Sequence, residues 1–299
     1  MSLVKTINAL ISVSVIFLST RAFGDTPTLQ VAVSNYPLAY FAERLGGPSV
    51  SVVFPVPPGE DPAFFKPDKK AISQLQRAEL IALNGADYEK WLTRVSLPAS
   101  RVVVTANGFR DRFIRIEHAV THSHGPGGLH SHDGTAFTTW LDFDQARLQA
   151  RALAEAMIVK RPRLRESIHA ALNGLEADLR ALDQTLMRLA APHQGQPILA
   201  SHPVYQYLAR RYDLSLEAVH WEPDQAPDAA EWPAFESLKA RHPARVMLWE
   251  GSPDPSTAAR LETLGVHPVV FDPCANRPES GDFLSVMQAN LKRLEMAFR

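Results

Sequence analysis

The sequence predicts an α/β protein of two lobes, each with a mostly parallel four-stranded sheet flanked by helices, joined by one long bridging helix. Three observations carry this prediction. Four short β-branched runs stand in each half of the chain. Amphipathic segments separate the runs, and such βαβα alternation gives parallel sheets. One long aliphatic repeat lies between the two sets.

In the first set, LQVAVSN (29–35), VSVVFPV (50–56), ELIALNG (79–85) and RVVVTAN (101–107) read as buried strands, several closed by Gly, Pro or Asn. Helical spacing marks Tyr36–Leu45 and Lys69–Arg77 between them. The second set is QPILASH (196–202), LSLEAVHW (214–221), ARVMLWEG (244–251) and HPVVFDP (267–273). Between the sets, Leu164, Ile168, Leu172, Leu175, Leu179, Leu182 and Leu186 recur at spacings of four and three. Pro162 stands where a first-turn proline is tolerated, and His193-Gln-Gly195 marks the stop. About 29 residues at 1.5 Å each give a rod of roughly 43 Å, long enough to run along both lobes. The alternative is an ordinary packed helix inside one larger domain. The expected organisation is a signal peptide at 1–24, a first lobe at 25–160 with a histidine-rich loop at 118–134, the linking helix at 161–190 and a second lobe at 191–299.

A chain of 299 residues, 45% hydrophobic, is enough for one or two lobes with proper cores. Lysine plus arginine total 31 against 32 acids, so the formal charge of −1 makes no electrostatic case for nucleic acid or an anionic membrane. Lys5 precedes the apolar stretch Ile7 to Leu18, and Ala22 and Gly24 are the small residues of a signal-peptidase site. Roughly a dozen apolar residues fall short of the about 20 that span a bilayer, so cleavage after Gly24 is expected. The only cysteine, Cys274, is far from that site. Neither a lipid-bearing N-terminal cysteine nor an internal disulfide is therefore expected. These readings place the protein in a bacterial periplasm, without a lipid anchor.

In open α/β sheets, ligands bind beyond the carboxyl ends of strands. That rule selects His202, Glu250, Asp272 and the segment after Val56. One imidazole with one or two carboxylates suits a borderline cation such as zinc or manganese. A strand-end histidine taken alone is more often a hydrogen-bonding structural residue. A second candidate is THSHGPGGLHSHDG (121–134), where His122, His124, His130 and His132 form two His-x-His pairs. Alternate residues of an extended chain share a side, so each pair can chelate one ion. A solvated accessory segment is equally compatible with that composition. No nucleophile elbow, Cys–His arrangement, phosphate-cradling glycine loop or His-Glu-x-x-His occurs, so no enzyme is expected.

Several pieces then stand in a telling order: PPGEDPAFFKPDKKAISQLQRAELIALNGADYEKWL (57–92), the histidine-rich loop, AFTTWLDFDQA (136–146), the long helix, SHPVYQYLARRYDLS (201–215), VMLWEG (246–251) and VFDPCANRPESGDFLSVMQANLKRL (270–294). In this order and spacing the chain resembles the solute-binding proteins of bacterial zinc and manganese ABC importers. The resemblance implies a monomeric two-lobed binding protein that holds one metal ion in its crevice and delivers it to an inner-membrane permease. It also implies two first-lobe histidine ligands, joined by a histidine or glutamate and a carboxylate from the second lobe. This chain departs from that pattern. Where the family writes Asp-Pro-His it has Asp61-Pro62-Ala63, and where the family writes Asp-Pro-His-x-Trp-Leu-Asp it has Ala136-Phe137-Thr138-Thr139-Trp140-Leu141-Asp142. Both first-lobe imidazoles are absent by position, while His202 and Asp272 stay in register. Two protein ligands make a weak trap, since structural zinc sites supply four and catalytic ones three.

Three completions stand open: Asp61 turned inward, Glu250 as a direct ligand, or loop histidines folded into the crevice. The expectation is a component that captures zinc, or manganese, through a non-standard ligand set. The alternative is the same scaffold holding a metal chelate or small organic ligand beside Phe64, Phe65, Phe137 and Trp140, for which lobe core is the plainer role.

Overall fold

The computed structural model describes residues 28–116, 134–223 and 225–299 in full, together with the backbone of 121–123 and 129–131. The expected signal peptide, His118, His124 and His132 lie outside the described residues.

The first sheet is built from β1 (Leu29–Val33), β2 (Val50–Val53), β3 (Leu80–Leu83) and β4 (Val102–Val104) in the order β2-β1-β3-β4. All its pairs are parallel; Val31 sits opposite Val52 on one side and Leu80 on the other. Helix α1 (Tyr36–Gly46) starts where Asn35 accepts from the Leu38 amide, with Pro37 in the first turn. Helix α2 (Lys69–Arg77) begins at Asp68, which accepts from the Ala71 amide. Two antiparallel ribbons follow. Strand β5 (Arg115–Ile116) pairs with β8 (Gly134–Thr135), and β6 (Thr121–Ser123) pairs with β7 (Leu129–Ser131).

Helix α3 (Phe143–Lys160) is capped by Asp142, which accepts from the Asp144 and Gln145 amides. The sequence reading passed over this helix. Its buried face mixes the small Ala146, Ala150 and Ala154 with Phe143, Leu153, Met157 and Ile158 and with the polar Gln145 and Gln149, and it packs along the next helix. That helix is α4 (Arg165–Ala190), whose 26 residues span about 39 Å. Short 3₁₀ turns at Pro162–Leu164 and Ala191–His193 flank it, so Leu164 belongs to the lead-in turn.

The second sheet repeats the plan. It contains β9 (Pro197–Ala200), β10 (Ser215–Ala218), β11 (Val246–Trp249) and β12 (His267–Val270) in the parallel order β10-β9-β11-β12. Around it lie α5 (Gln206–Tyr212), α6 (Glu231–Arg241), α7 (Pro255–Thr263) and α8 (Phe283–Ala297).

Helix α4 packs against α1 and α3 on one side of the molecule and against α5 and α8 on the other. Its buried Ile168, Leu172, Leu175, Leu179, Leu182 and Leu186 join side chains of both sheets in one apolar cluster. Ion pairs pin the rod at both lobes: Arg44 to Asp178 at 2.7 Å, and Arg211 to Asp183 at 2.8 Å. Tyr212 donates to Asp183 as well, at 2.9 Å. A separate aromatic cluster of Trp221, Trp232, Phe235 and Trp249 lies on the second sheet. The relation between the lobes is therefore set by a shared core and not by a loose tether.

Candidate metal centre

In both sheets the winding reverses at the central strand pair, β1/β3 in the first and β9/β11 in the second. Such switch points open a crevice beyond the strand ends. The two lobes fill theirs differently. In the first lobe the crevice floor is a neutral amide network. Asn35, after β1, donates to the Asn84 side chain after β3 at 3.2 Å, and Asn84 donates to the Phe137 carbonyl at 2.9 Å. Gln149 and Thr139 also donate to the Asn84 side-chain oxygen. In the second lobe the same positions carry His202 and Glu250.

His202 is 4% exposed. Its Nδ1 lies 3.0 Å from Glu250 Oε1 and its Nε2 lies 3.8 Å from Glu222 Oε1. The His220 ring meets it edge-on at 6.0 Å. Glu250 thus stands as the nearest acidic neighbour of the imidazole. Burial first, and then the charge of Asp272, push the Glu250 carboxyl up to about 7. Asp272 is also raised by burial, against the pull of the Cys274 amide, bonded at 2.6 Å, and of Arg293. Asn290 of α8 brackets the Asp272 backbone, accepting from its amide and donating to its carbonyl.

From the first lobe comes Asp61. The surrounding protein raises its carboxyl to about 7, partly offset by the Ala63 amide and reinforced by the charge of Glu250. Yet the residue is open to solvent. Protein mass on several sides with water still at the surface is the environment of a crevice mouth. The charge of Glu250 acts on Asp61, and that of Asp272 acts on Glu250. Among the described residues, no group of three His, Cys, Asp or Glu side chains stands ready to hold an ion.

Ala63 and Thr138 are both buried. Ala63 is 1% exposed and belongs to the core. Thr138, 3% exposed, donates its hydroxyl to the Val204 carbonyl and so joins the lobes. Its neighbours do the same. Trp140 Nε1 donates to the Pro273 carbonyl at 2.8 Å, and Tyr207 donates to the Ala136 carbonyl at 2.9 Å. Asn276 Nδ2 reaches the Pro57 and Glu60 carbonyls at 2.7 and 2.8 Å. In the histidine-rich ribbon the backbone register sets His122 opposite His130. Positions 124 and 132 lie outside the described residues.

Two crevice residues escaped the sequence reading. Glu222 lies four residues beyond β10, with its Oε1 3.8 Å from His202 Nε2, and it directly follows the run LSLEAVHW, where the strand-end rule could have found it. Tyr88 is 1% exposed and its hydroxyl has no hydrogen-bond partner among the described residues. Burial, then the charges of Asp61, Glu89 and Glu250, hold its pKa well above the usual tyrosine value. Nothing in the sequence signals it, because its position depends on a left-handed turn.

The profile of the ZnuA family, described as zinc-uptake complex component A, periplasmic, matches residues 31–297. The chain belongs to this family. ZnuA-family proteins are metal-binding solute-binding components of transport systems, and the chain is accordingly a binding protein and not an enzyme. It is 22% identical over 278 residues to the zinc-binding lipoprotein AdcA of Streptococcus pneumoniae, covering 89% of this chain and 55% of AdcA. The chain thus spans about half the length of that relative. It is also 22% identical to the manganese ABC transporter substrate-binding lipoprotein PsaA of Streptococcus pneumoniae, covering 92% of this chain and 90% of PsaA. Among solved structures, the Zn(II)-bound ZnuA-like domain of S. pneumoniae AdcA superposes with a TM-score of 0.74 at 18% identity, over 90% of this chain and 98% of that one. That likeness extends to the fold.

These relatives correct one expectation. AdcA and PsaA are named lipoproteins, a class held to membranes by lipid, and this overturns the expected lack of a lipid anchor. The expectation had rested on the position of Cys274 alone, and that residue is a core thiol, 1% exposed.

Proposed function

We propose that this chain captures zinc and presents it to the membrane permease of an ABC importer, through a ligand set centred on the second lobe. His202 supplies the imidazole, Glu250 and Asp272 supply carboxylates, and Asp61 closes the site from the first lobe. The observation that supports this reading is the buried imidazole of His202 with the Glu250 carboxylate 3.0 Å from it. Carboxyls held near neutrality by burial and mutual repulsion are relieved by a divalent cation, which releases their protons as it binds. Ligands from two lobes also let the ion itself favour closure. His122, His124, His130 and His132 add capture capacity or complete the coordination.

Manganese is the second reading, favoured by the donor set itself. A single imidazole among oxygen donors is harder than the nitrogen-rich sites zinc prefers. The test is calorimetric titration of chelator-stripped protein with Zn²⁺ and Mn²⁺, comparing wild type, His202→Ala and a deletion of 121–134. Stoichiometric binding lost in His202→Ala supports the crevice site. Binding lost only in the deletion moves the site to the loop, and wild type that binds no divalent cation rejects the proposal.

A further inference from the structure

The segment that carries Asp272 does not stay on its own lobe. Beyond β12, Asp272-Pro-Cys-Ala-Asn-Arg277 crosses the junction as a strap. The Pro273 carbonyl accepts from Trp140 and the Ala275 carbonyl from the Tyr36 amide, both at 2.8 Å. The strap turns at Cys274, whose φ of 56° lies in the left-handed region that disfavours residues with a side chain. Its root is fixed as well. Asp272 accepts from the Cys274 amide at 2.6 Å, and Asn290 brackets the Asp272 backbone.

Opposite the end of the strap stands a rigid turn of the first lobe. Pro57-Pro58-Gly59-Glu60 has proline second and a glycine with φ of 79° third, the residues of a type II turn. The Glu60 amide closes it on the Pro57 carbonyl at 3.3 Å. Asp61 follows directly and accepts from the Ala63 amide at 2.8 Å. Asn276 Nδ2 donates to the carbonyls at both ends of this turn, Pro57 at 2.7 Å and Glu60 at 2.8 Å. Its Oδ1 accepts from the Arg277 amide at 2.6 Å. Both N–H donors and the oxygen are thus engaged, a match that a carboxylate, without donors, cannot make.

Asn276 stands four places after Asp272, and the turn ends one place before Asp61. One side-chain amide therefore ties together the two segments that bring a candidate carboxylate from each lobe. We propose that Asn276 is a positioning residue for cargo capture: by clasping the 57–60 turn it holds Asp61 and Asp272 in one arrangement across the crevice. The role in capture rests on the metal reading above; the clasp on the turn does not.

Asn276→Asp keeps the size of the side chain and an acceptor for the Arg277 amide while removing both donors. Asn276→Ala removes all three groups without adding charge. In metal-free protein, hydrogen exchange at the Glu60, Ala63 and Phe64 amides is expected to quicken about tenfold in both variants, the effect of losing two hydrogen bonds at a partly buried group. Amides of both sheets should keep their wild-type rates. Arg277→Ala removes the strap's contacts with Glu43 and the Tyr36 ring but spares the clasp, so it should leave those three amides unchanged. Release of the bound ion, Zn²⁺ or Mn²⁺, to excess chelator should quicken by a similar factor in the Asn276 variants and not in Arg277→Ala. Wild-type exchange at the three amides in the Asn276 variants overturns the inference, as does equal loosening by Arg277→Ala. Faster exchange throughout both sheets also overturns it, because Asn276 would then serve the fold at large. Local loosening with wild-type ion release overturns the role in capture. Wild type that binds neither ion is a separate result: it rejects the metal reading, and the role in capture with it, whatever the exchange shows.

Discussion

Replacing Thr138 by valine separates two roles that a polar residue at this position can have. Valine matches threonine in shape, so no cavity opens, and only the hydroxyl is lost. That hydroxyl donates to the Val204 carbonyl between residues 3% and 6% exposed. The substitution strands a buried carbonyl at the junction of the lobes, a loss of about 1.5 kcal/mol within the usual range for an orphaned acceptor. For a chain of this size that corresponds to a fall in Tm of roughly 2–3 °C. Urea unfolding in chelator, monitored by tryptophan fluorescence, should show the midpoint shifted with an unchanged slope. Zinc affinity should move by less than about tenfold, since no ligand is removed. The reasoning is refuted if the urea midpoint stays put while zinc binding weakens by two orders of magnitude or more. That result would make Thr138 a ligand.

Three further outcomes follow from the same geometry. The Glu250 carboxyl titrates at about 7 in the folded protein against an ordinary 4.5, so folding favours its protonated form. The stability this contributes is fully present below pH 4.5 and is lost as pH rises through 7. Metal-free Glu250→Gln, which cannot titrate, should gain stability relative to wild type between pH 5 and pH 8 in parallel denaturation curves; a constant difference would contradict the assignment. Cys274 is 1% exposed, and burial with the nearby Asp272 and Asp282 raises its thiol far above the usual range. A colorimetric thiol reagent should therefore label it only after unfolding, and fast labelling of native protein would refute this. Leu175→Ala in the middle of α4 should cost about 2–5 kcal/mol, because it hollows a fully buried site in the shared core. Loss of cooperativity, with one lobe unfolding ahead of the other, would show that α4 does not unite them.

The secondary structure was legible where local chemistry and period agree. Each β-branched run contains a strand, and the helix read at Lys69–Arg77 spans those residues because Asp68 caps it. Strand ends were read too long for a physical reason: Asn35, Asn84, His202 and Glu250 leave the sheet to line the crevice. Helix α3 has a weak apolar period because the polar Gln145 and Gln149 interrupt its buried face beside small alanines. At the site, the strand-end rule located His202 and Glu250 at a switch point and Asp272 beside them. Glu222 directly follows a run read as a strand and was within reach of the same rule, whereas Tyr88 depends on a turn whose left-handed φ angles at Ala86 and Asp87 no local signal announces. Comparison by position told what Thr138 is not; only the Val204 carbonyl tells what it does.

The junction between the lobes has a grammar of its own. Thr138, Trp140, Tyr207 and Asn276 each reach across to a backbone carbonyl of the other lobe, as Arg210 does to that of Arg112. The amide of Tyr36 likewise bonds the Ala275 carbonyl at 2.8 Å. Every residue has a carbonyl, whatever its side chain, so these acceptors survive substitution at their own positions. The contact between the lobes is thereby insulated from mutational drift at the acceptor positions. A lineage can exchange side chains along the crevice and still inherit the same junction.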